Sequence, residues 1–169
     1  IPENFQRIIN GINNDIELSE KRFGDKKGFI SFDSAKNLDG YLLLARYDGE
    51  IKRSIVEIYD FENDKIIHSY LPDIKNINSK SKLSEKLLRN DLNLNEKRYL
   101  IRHPLLLNDG SIIFNSGNSP LVRIDSCSNL IWTIDKMFHH SKELDAYGNI
   151  FVSLIDNDNL QSYNELKND

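Results

Sequence analysis

The sequence predicts an all-β fold: consecutive four-stranded antiparallel blades of a partial β-propeller, with a short N-terminal helix and a helical insertion. The first observation is a repeat. Residues 102–114 and 140–152 both begin with a basic residue and run through a strand, a turn and an apolar strand. The turn glycines, Gly110 and Gly148, lie 38 residues apart, close to the length of one propeller blade. The second observation is that turn pairs such as Asp-Gly separate short apolar stretches along most of the chain, which is typical of antiparallel sheets.

Composition bounds the class of protein. The 169 residues are enough for one domain with a hydrophobic core, and the net charge of -4 argues against a nucleic-acid partner. Cys127 is the only cysteine, so no internal disulfide can form. No apolar run approaches the roughly 18 residues that cross a bilayer. Because the chain opens with Ile1 rather than Met, we expect an upstream segment, which could include a membrane anchor.

Residues 1–27 are predicted to form an N-terminal helical segment. Apolar side chains recur on one helical face, at Phe5, Ile8, Ile9, Ile12 and Ile16. A charged connector, residues 21–27, then leads into the β pattern.

The first predicted blade covers residues 28–70. Its strands are expected at residues 29–32, 41–47, 54–59 and 65–70, with turns at Asp39-Gly40, Asp48-Gly49 and Asn63-Asp64. Residues 71–97 interrupt the β pattern with a charge-rich segment, which we interpret as a solvated surface insertion. Leucines at helical spacing predict a helix within it, at residues 81–90.

The β pattern resumes in a second blade, residues 98–136. Its strands are expected at residues 99–107, 111–115, 121–124 and 130–134. Residues 56–67 of the first blade match residues 121–132 of the second, with one residue of slack at the turn. A partial third blade covers residues 137–155, and a polar tail, residues 156–169, follows. Because repeat units bury their faces against neighbours, we expect further blades from the same gene or another chain.

Histidines are the first candidates for chemistry, and there are four: His68, His103, His139 and His140. Side chains alternate faces along a strand, so His139 and His140 are expected to point in opposite directions and not to share a metal. We therefore expect no metal site and no cofactor. His68 is interpreted as a half-buried, hydrogen-bonded residue. Aspartates at strand ends suit turn capping as well as catalysis: Asp125, Asp135 and Asp145.

The repeat points to one position in particular. Arg102 and His140 each stand eight residues before a turn glycine, and we expect both to face the same side of the sheet, toward a propeller channel. If Pro104 marks an irregularity, His103 turns toward the channel instead of Arg102. Arginine suits sulfate or phosphate oxygens, and a neutral imidazole can act as base or nucleophile near neutral pH.

Several of these stretches together resemble the arylsulfotransferase family of β-propellers. The resemblance covers about residues 28–154 and is carried by six segments: Gly28-Phe-Ile-Ser-Phe, Gly40-Tyr-Leu-Leu-Leu, Ser54-Ile-Val-Glu-Ile-Tyr-Asp, Ser119-Pro-Leu-Val-Arg-Ile-Asp, Leu130-Ile-Trp and Phe138-His-His-Ser-Lys-Glu-Leu-Asp-Ala-Tyr-Gly-Asn-Ile-Phe-Val. Its most specific part is the His-His pair ahead of the Gly-Asn turn. The resemblance is to the early blades of a larger propeller.

The resemblance implies an enzyme that moves a sulfuryl group from an aryl sulfate to a phenol through a transient sulfohistidine, with no nucleotide donor. His140 matches the catalytic position best, while Arg102, His103 and His139 are the candidates for binding the sulfate oxygens. The resemblance also implies a periplasmic or membrane-anchored location. A second hypothesis needs only the repeat: a non-catalytic propeller scaffold that binds a ligand or protein, with residues 73–97 and 156–169 supplying contacts.

Overall fold

The computed structural model describes residues 39–83 and 95–155, and this part of the chain forms two antiparallel sheets and one helix. The predicted all-β class is therefore confirmed at the level of sheet content. The predicted N-terminal helix, the strand at residues 29–32 and the polar tail lie outside the described residues. Within the described ranges, no helix is long and apolar enough to cross a membrane.

The first sheet has three strands in the order β1 (Tyr41–Asp48), β2 (Arg53–Asp60) and β3 (Lys65–Tyr70). These are the three strands that the sequence predicts for residues 41–70. Arg46 of β1 reaches across to β2, where its guanidinium makes a bidentate pair with Glu57 at 2.6 and 2.9 Å. Such fork-shaped pairing fixes the register of neighbouring strands as well as joining them.

The single described helix, α1 (Ile74–Lys80), corrects the interpretation of residues 71–97. The Asp73 carboxylate caps it by accepting a hydrogen bond from the Asn76 amide at 2.9 Å. Ile74 and Ile77, one turn apart, are both buried in the main core. The first part of this segment is therefore core rather than a solvated insertion. The helix expected at residues 81–90 is wrong at its start, because Ser81 is the C-cap of α1, and residues 84–94 lie outside the described part.

The second sheet has five strands in consecutive order. They are β4 (Arg102–Leu106), β5 (Ile112–Asn115), β6 (Ser119–Ile124), β7 (Leu130–Leu144) and β8 (Ile150–Leu154). The four strands predicted for the second unit are present. However, β7 runs for 15 residues, pairing first with β6 and then with β8. The expected boundary between the second and third units therefore falls inside a continuous strand.

The five-stranded sheet buries residues on both of its faces. One face contributes Ile112, Phe114 and Val122 to the main core, which also holds Val56 of β2 and α1. The other face forms a second, smaller core around Ile113, Leu121 and Phe138. The sheet curls, so that β4 and β7, which are not paired with each other, come into contact.

Three tight turns in this sheet share one backbone geometry. In each, the amide of the first residue donates to the carbonyl of the fifth, and the fourth residue is left-handed: Gly110 with φ 78°, Ser128 with φ 68° and Gly148 with φ 83°. The β2–β3 turn has one residue more between its paired ends than these three turns, and its left-handed residue is Asp64, with φ 50°. The predicted one-residue slack between residues 56–67 and 121–132 is therefore confirmed.

Candidate functional site

A bulge in β4 places the first two candidate residues. Arg102 pairs with Asn115 and Leu105 pairs with Ile113, so two residues of β4 lie opposite one of β5. The first of them, His103, has a left-handed backbone with φ 42°. The irregularity expected next to Pro104 is thus present, and both Arg102 and His103 are exposed at the strand end.

A larger bulge in β7 places the other two. His139 pairs with Ser153 and Lys142 pairs with Val152, so the two β7 residues between them have no partner on β8. His140 is left-handed here, with φ 63°. The centres of the His139 and His140 imidazole rings are consequently 3.7 Å apart, and the rings meet edge to face. The expectation that they point in opposite directions is wrong, because the left-handed residue breaks the alternation of the strand.

The two bulges are offset by one residue relative to the turns. The left-handed residue stands seven positions before Gly110 in one hairpin and eight before Gly148 in the other. By backbone conformation, His103 therefore corresponds to His140, and Arg102 corresponds to His139. The sequence alignment pairs Arg102 with His140 by counting from the glycine, and the inserted bulge residue shifts that correspondence.

His139 is the candidate whose environment is most perturbed. Burial lowers its pKa, and the neighbouring His140 and the Arg102 guanidinium lower it further. The imidazole of His139 is therefore favoured in its neutral form near pH 7. The Arg102 guanidinium itself lies against Gly117, 3.6 Å from the point where a side chain on that glycine would begin.

Lys142 is the site residue that the sequence reasoning missed. Its side chain is buried, with 4% of the residue exposed, and its Nζ donates to the Arg102 carbonyl at 3.2 Å and to Asn115 Oδ1. Burial lowers its pKa to about 8. It thereby joins β7 to β4, which are not paired strands. Strand alternation could not identify Lys142 from the sequence, because the bulge lies between it and Phe138 and its acceptors come from β4 and β5.

Arg102, His103 and Lys142 border an open cleft of about 670 Å³ between the two sheets, whereas His139 and His140 do not line it. β1 supplies Leu43 and Ala45 as an apolar wall. The opposite side is polar and comes from Arg102 and His103 of β4 and from Lys142 and Glu143 of β7.

Other predicted residues have structural roles. His68 Nε2 donates a hydrogen bond to the Ser126 carbonyl at 2.9 Å, and its ring contacts that of Tyr70 at 4.5 Å between ring centres, as expected for a satisfied histidine. Asp125 and Asp145 cap their turns, each accepting a backbone N–H four residues on at 2.8 Å. Asp135 accepts from the Lys82 amide at 3.0 Å. Among the residues described, no three His, Cys, Asp or Glu side chains are grouped to hold a metal ion.

Comparisons of the chain with protein-family models, with curated proteins and with solved structures find no match. What the site can do therefore has to be argued from its own side chains. The Arg102 guanidinium, which acts on the paired imidazoles of His139 and His140, is a donor for an oxyanion, and the neutral imidazole is a base or nucleophile. The arrangement is suited to binding an anionic group and transferring it.

Proposed function

We propose that this protein binds an aryl sulfate at the bulges of β4 and β7 and transfers its sulfuryl group to a phenol, with His140 as the nucleophile. The observation that carries the proposal is the contact between the His139 and His140 rings, whose centres are 3.7 Å apart. Both lie on β7, and Lys142 of the same strand donates a hydrogen bond to the Arg102 carbonyl. His140 is the more exposed of the two imidazoles, and so the one that substrate reaches.

The transfer proceeds in two displacements. An imidazole nitrogen of His140 forms a bond to sulfur while the bond between sulfur and the aryl oxygen breaks, and the aryl oxide leaves. The acceptor phenol then attacks the sulfohistidine and releases His140. His139, held neutral, takes the acceptor's proton, and Arg102 and His103 hold the sulfate oxygens. Fixed positive donors around developing negative charge are the main source of rate in such reactions.

The proposal includes a propeller architecture. It is supported by four consecutive antiparallel strands, β4 to the first part of β7, joined by tight turns, and by the 38-residue spacing of the turn glycines. In this arrangement the second part of β7 and β8 begin the next blade. Further blades from the same gene or another chain complete the channel around His140.

The test is turnover of 4-nitrophenyl sulfate with phenol as acceptor, followed by release of 4-nitrophenol. The His68→Ala variant is the matched control, since His68 is hydrogen-bonded away from the site. We expect wild type and His68→Ala to turn over alike, and His140→Ala to be slower by at least about 100-fold. Mass spectrometry of the wild type during turnover should detect the sulfohistidine.

Two outcomes contradict the proposal. Equal turnover in His140→Ala removes that residue from the mechanism. Absence of transfer in every variant of the folded protein removes the enzymatic function altogether.

A second candidate function is a non-catalytic scaffold, and one observation favours it. The last strand of each sheet, β3 in one and β8 in the other, carries exposed apolar side chains: Ile66 at 50%, Phe151 at 62% and Leu154 at 48%. Exposed apolar surface on strands at the end of a sheet is suited to pairing with another chain or blade. Binding of a partner without any sulfuryl transfer would support this function over the enzyme.

A further inference from the structure

The bulge of β7 is held at both of its ends by one buried side chain, that of Asn115. Its Nδ2 donates to the carbonyl of Phe138, directly before the two histidines, at 3.1 Å. Its Oδ1 accepts a hydrogen bond from Nζ of Lys142, two residues after them. Asn115 is completely buried and, as the last residue of β5, is paired with Arg102 of β4. One amide therefore spans the stretch of β7 that carries the paired imidazoles.

The chemistry of these partners fixes the orientation of the Asn115 amide. An ammonium can only donate and a carbonyl can only accept, so Oδ1 has to face Lys142 and Nδ2 has to face Phe138. The second hydrogen of Nδ2 is also used, in a bond to the Ser116 carbonyl at 2.7 Å. Because rotation of the amide would leave buried polar groups unpaired, Asn115 is a rigid support for both ends of the bulge.

Lys142 extends this support to β4. Its Nζ donates to the Arg102 carbonyl at 3.2 Å, which joins the end of the β7 bulge to the residue next to the β4 bulge. Burial, the neighbouring His140 and then Arg102 lower the pKa of His139, whereas the charge of Lys142 is not among these influences. An effect of Lys142 on His139 therefore has to come through the positions of the groups that Lys142 holds.

Stability is a poor reason for a lysine at position 142. Only 4% of the residue is exposed, and both of its described acceptors are neutral. None of the ion pairs found between described residues includes Lys142. A buried ammonium without a counter-charge opposes folding, and an apolar side chain of the same length would fill this space without that cost. What the ammonium contributes is two donors aimed at fixed acceptors on β4 and β5.

We propose that Asn115 and Lys142 are positioning residues for the imidazole pair, which hold both ends of the β7 bulge and thereby keep His139 in contact with His140 and close to Arg102. For its part in catalysis the inference rests on the proposed function. It adds to that function the two buried residues that set the geometry of the nucleophile and the base, although neither of them contacts the substrate.

The experiment is a pH titration of the histidine ring resonances by NMR in wild type, Asn115→Leu and Lys142→Met. In wild type the pKa of His139 should lie below the 6.5 of an ordinary histidine. In both variants we expect it to rise toward 6.5, because a loosened bulge moves the ring of His139 away from His140 and Arg102. In the assay with 4-nitrophenyl sulfate, both variants should lose at least about 10-fold in kcat with little change in KM.

Two control variants separate positioning from charge and from stability. Lys136→Met removes an exposed lysine from the same strand as Lys142. Phe114→Leu weakens the main core at the residue next to Asn115 without removing a hydrogen bond to the bulge. We expect the pKa of His139 in both controls to equal that in wild type. A rise in Phe114→Leu as large as that in Asn115→Leu would overturn the inference, since loss of stability would then be a sufficient cause.

A measurement on wild type guards against misfolding of the variants. The hydrogen-bonded ammonium of Lys142 should exchange its protons with water slowly enough at acidic pH to give its own NMR signal, whereas that of the exposed Lys136 should not. Absence of the Lys142 signal, or one pKa of His139 shared by wild type, Asn115→Leu and Lys142→Met, would overturn the inference. A raised pKa in these variants without turnover by wild type would overturn the proposed function alone. Turnover that is equal in all three proteins would overturn only the positioning role.

Discussion

The β4–β5 and β7–β8 hairpins repeat one sequence pattern and one turn, yet they differ in burial. In both, the amide of the turn glycine donates to the residue three positions earlier, at 3.0 and 3.1 Å. In β5, Ile113 and Phe114 are completely buried, whereas Phe151 of β8 is 62% exposed. The reason is position in the sheet, because β5 lies between β4 and β6 and has a core on each face, while β8 has only β7 beside it in the described sheet.

The hairpins also differ in how their first strands are interrupted. β4 has one extra residue at its bulge, and β7 has two. The longer bulge brings the His139 and His140 rings into contact, and it leaves Lys142 on the buried face, at the position that Pro104 holds in the other hairpin. A repeated turn therefore preserves local conformation, while chemistry arises where the copies diverge.

The largest expected difference between the hairpins comes from removing the same aromatic group from each. Phe114→Ala should lower the free energy of unfolding by about 3–5 kcal/mol, because Phe114 is fully buried and packs edge to face on Tyr99 at 6.3 Å between ring centres. Phe151→Ala should change the free energy of unfolding by about 0.5 kcal/mol or less. Urea denaturation measures both. A large loss in Phe151→Ala would show instead that β8 is covered in solution.

The second difference is in pH dependence and concerns Lys142. The pKa of Lys142 is about 8 in the folded protein, against 10.5 for an ordinary lysine. Below pH 8, burial of the charged ammonium therefore lowers the free energy of unfolding. Between pH 8 and 10.5 the lysine is protonated in the unfolded chain but neutral in the folded protein. Over this range the free energy of unfolding of wild type should therefore rise by about 2–3 kcal/mol relative to that of Lys142→Met.

Denaturation of both proteins across this pH range tests the prediction. The neighbouring titratable groups, which are His103, His139, His140 and Glu143, are present in both proteins and cancel in the comparison. A Pro104→Ala variant of the other hairpin should show the same pH dependence as wild type. A constant difference between wild type and Lys142→Met from pH 8 to 10.5 would contradict the placement of the Lys142 ammonium.

The smallest effect should be the same in both hairpins and tests their similarity. Gly110→Ala and Gly148→Ala should each lower the free energy of unfolding by about 1 kcal/mol, because φ is 78° and 83° at these positions. Steric overlap adds nothing, since an added side chain meets no atom closer than 3.7 Å. Gly49→Ala is the control, since φ at Gly49 is not left-handed and its surroundings are open, so its cost should be near zero. Costs that differ by more than about 1 kcal/mol between the two turns would mean that their geometry is not shared.

Much of the fold could be predicted from the sequence, and the misses share a cause. The strands of residues 41–70 and the turns at Gly110 and Gly148 follow from apolar alternation and turn residues close together in the chain. The burial of α1 did not, because Ile74 and Ile77 are buried by strands distant in sequence. For the site, the sequence indicated the histidines and Arg102 but missed Lys142, whose acceptors on β4 and β5 lie 40 and 27 positions away.

The sequence by itself determined where this chain turns and which stretches are strands, since those depend on the dihedral preferences of a few adjacent residues. Only the tertiary structure decided that β7 continues through two predicted units, that a bulge in β7 brings two imidazoles together, and that a lysine is buried between unpaired strands. Curling of the sheet and burial of a charge depend on which distant residues meet. That is a property of the packed molecule and not of any one segment.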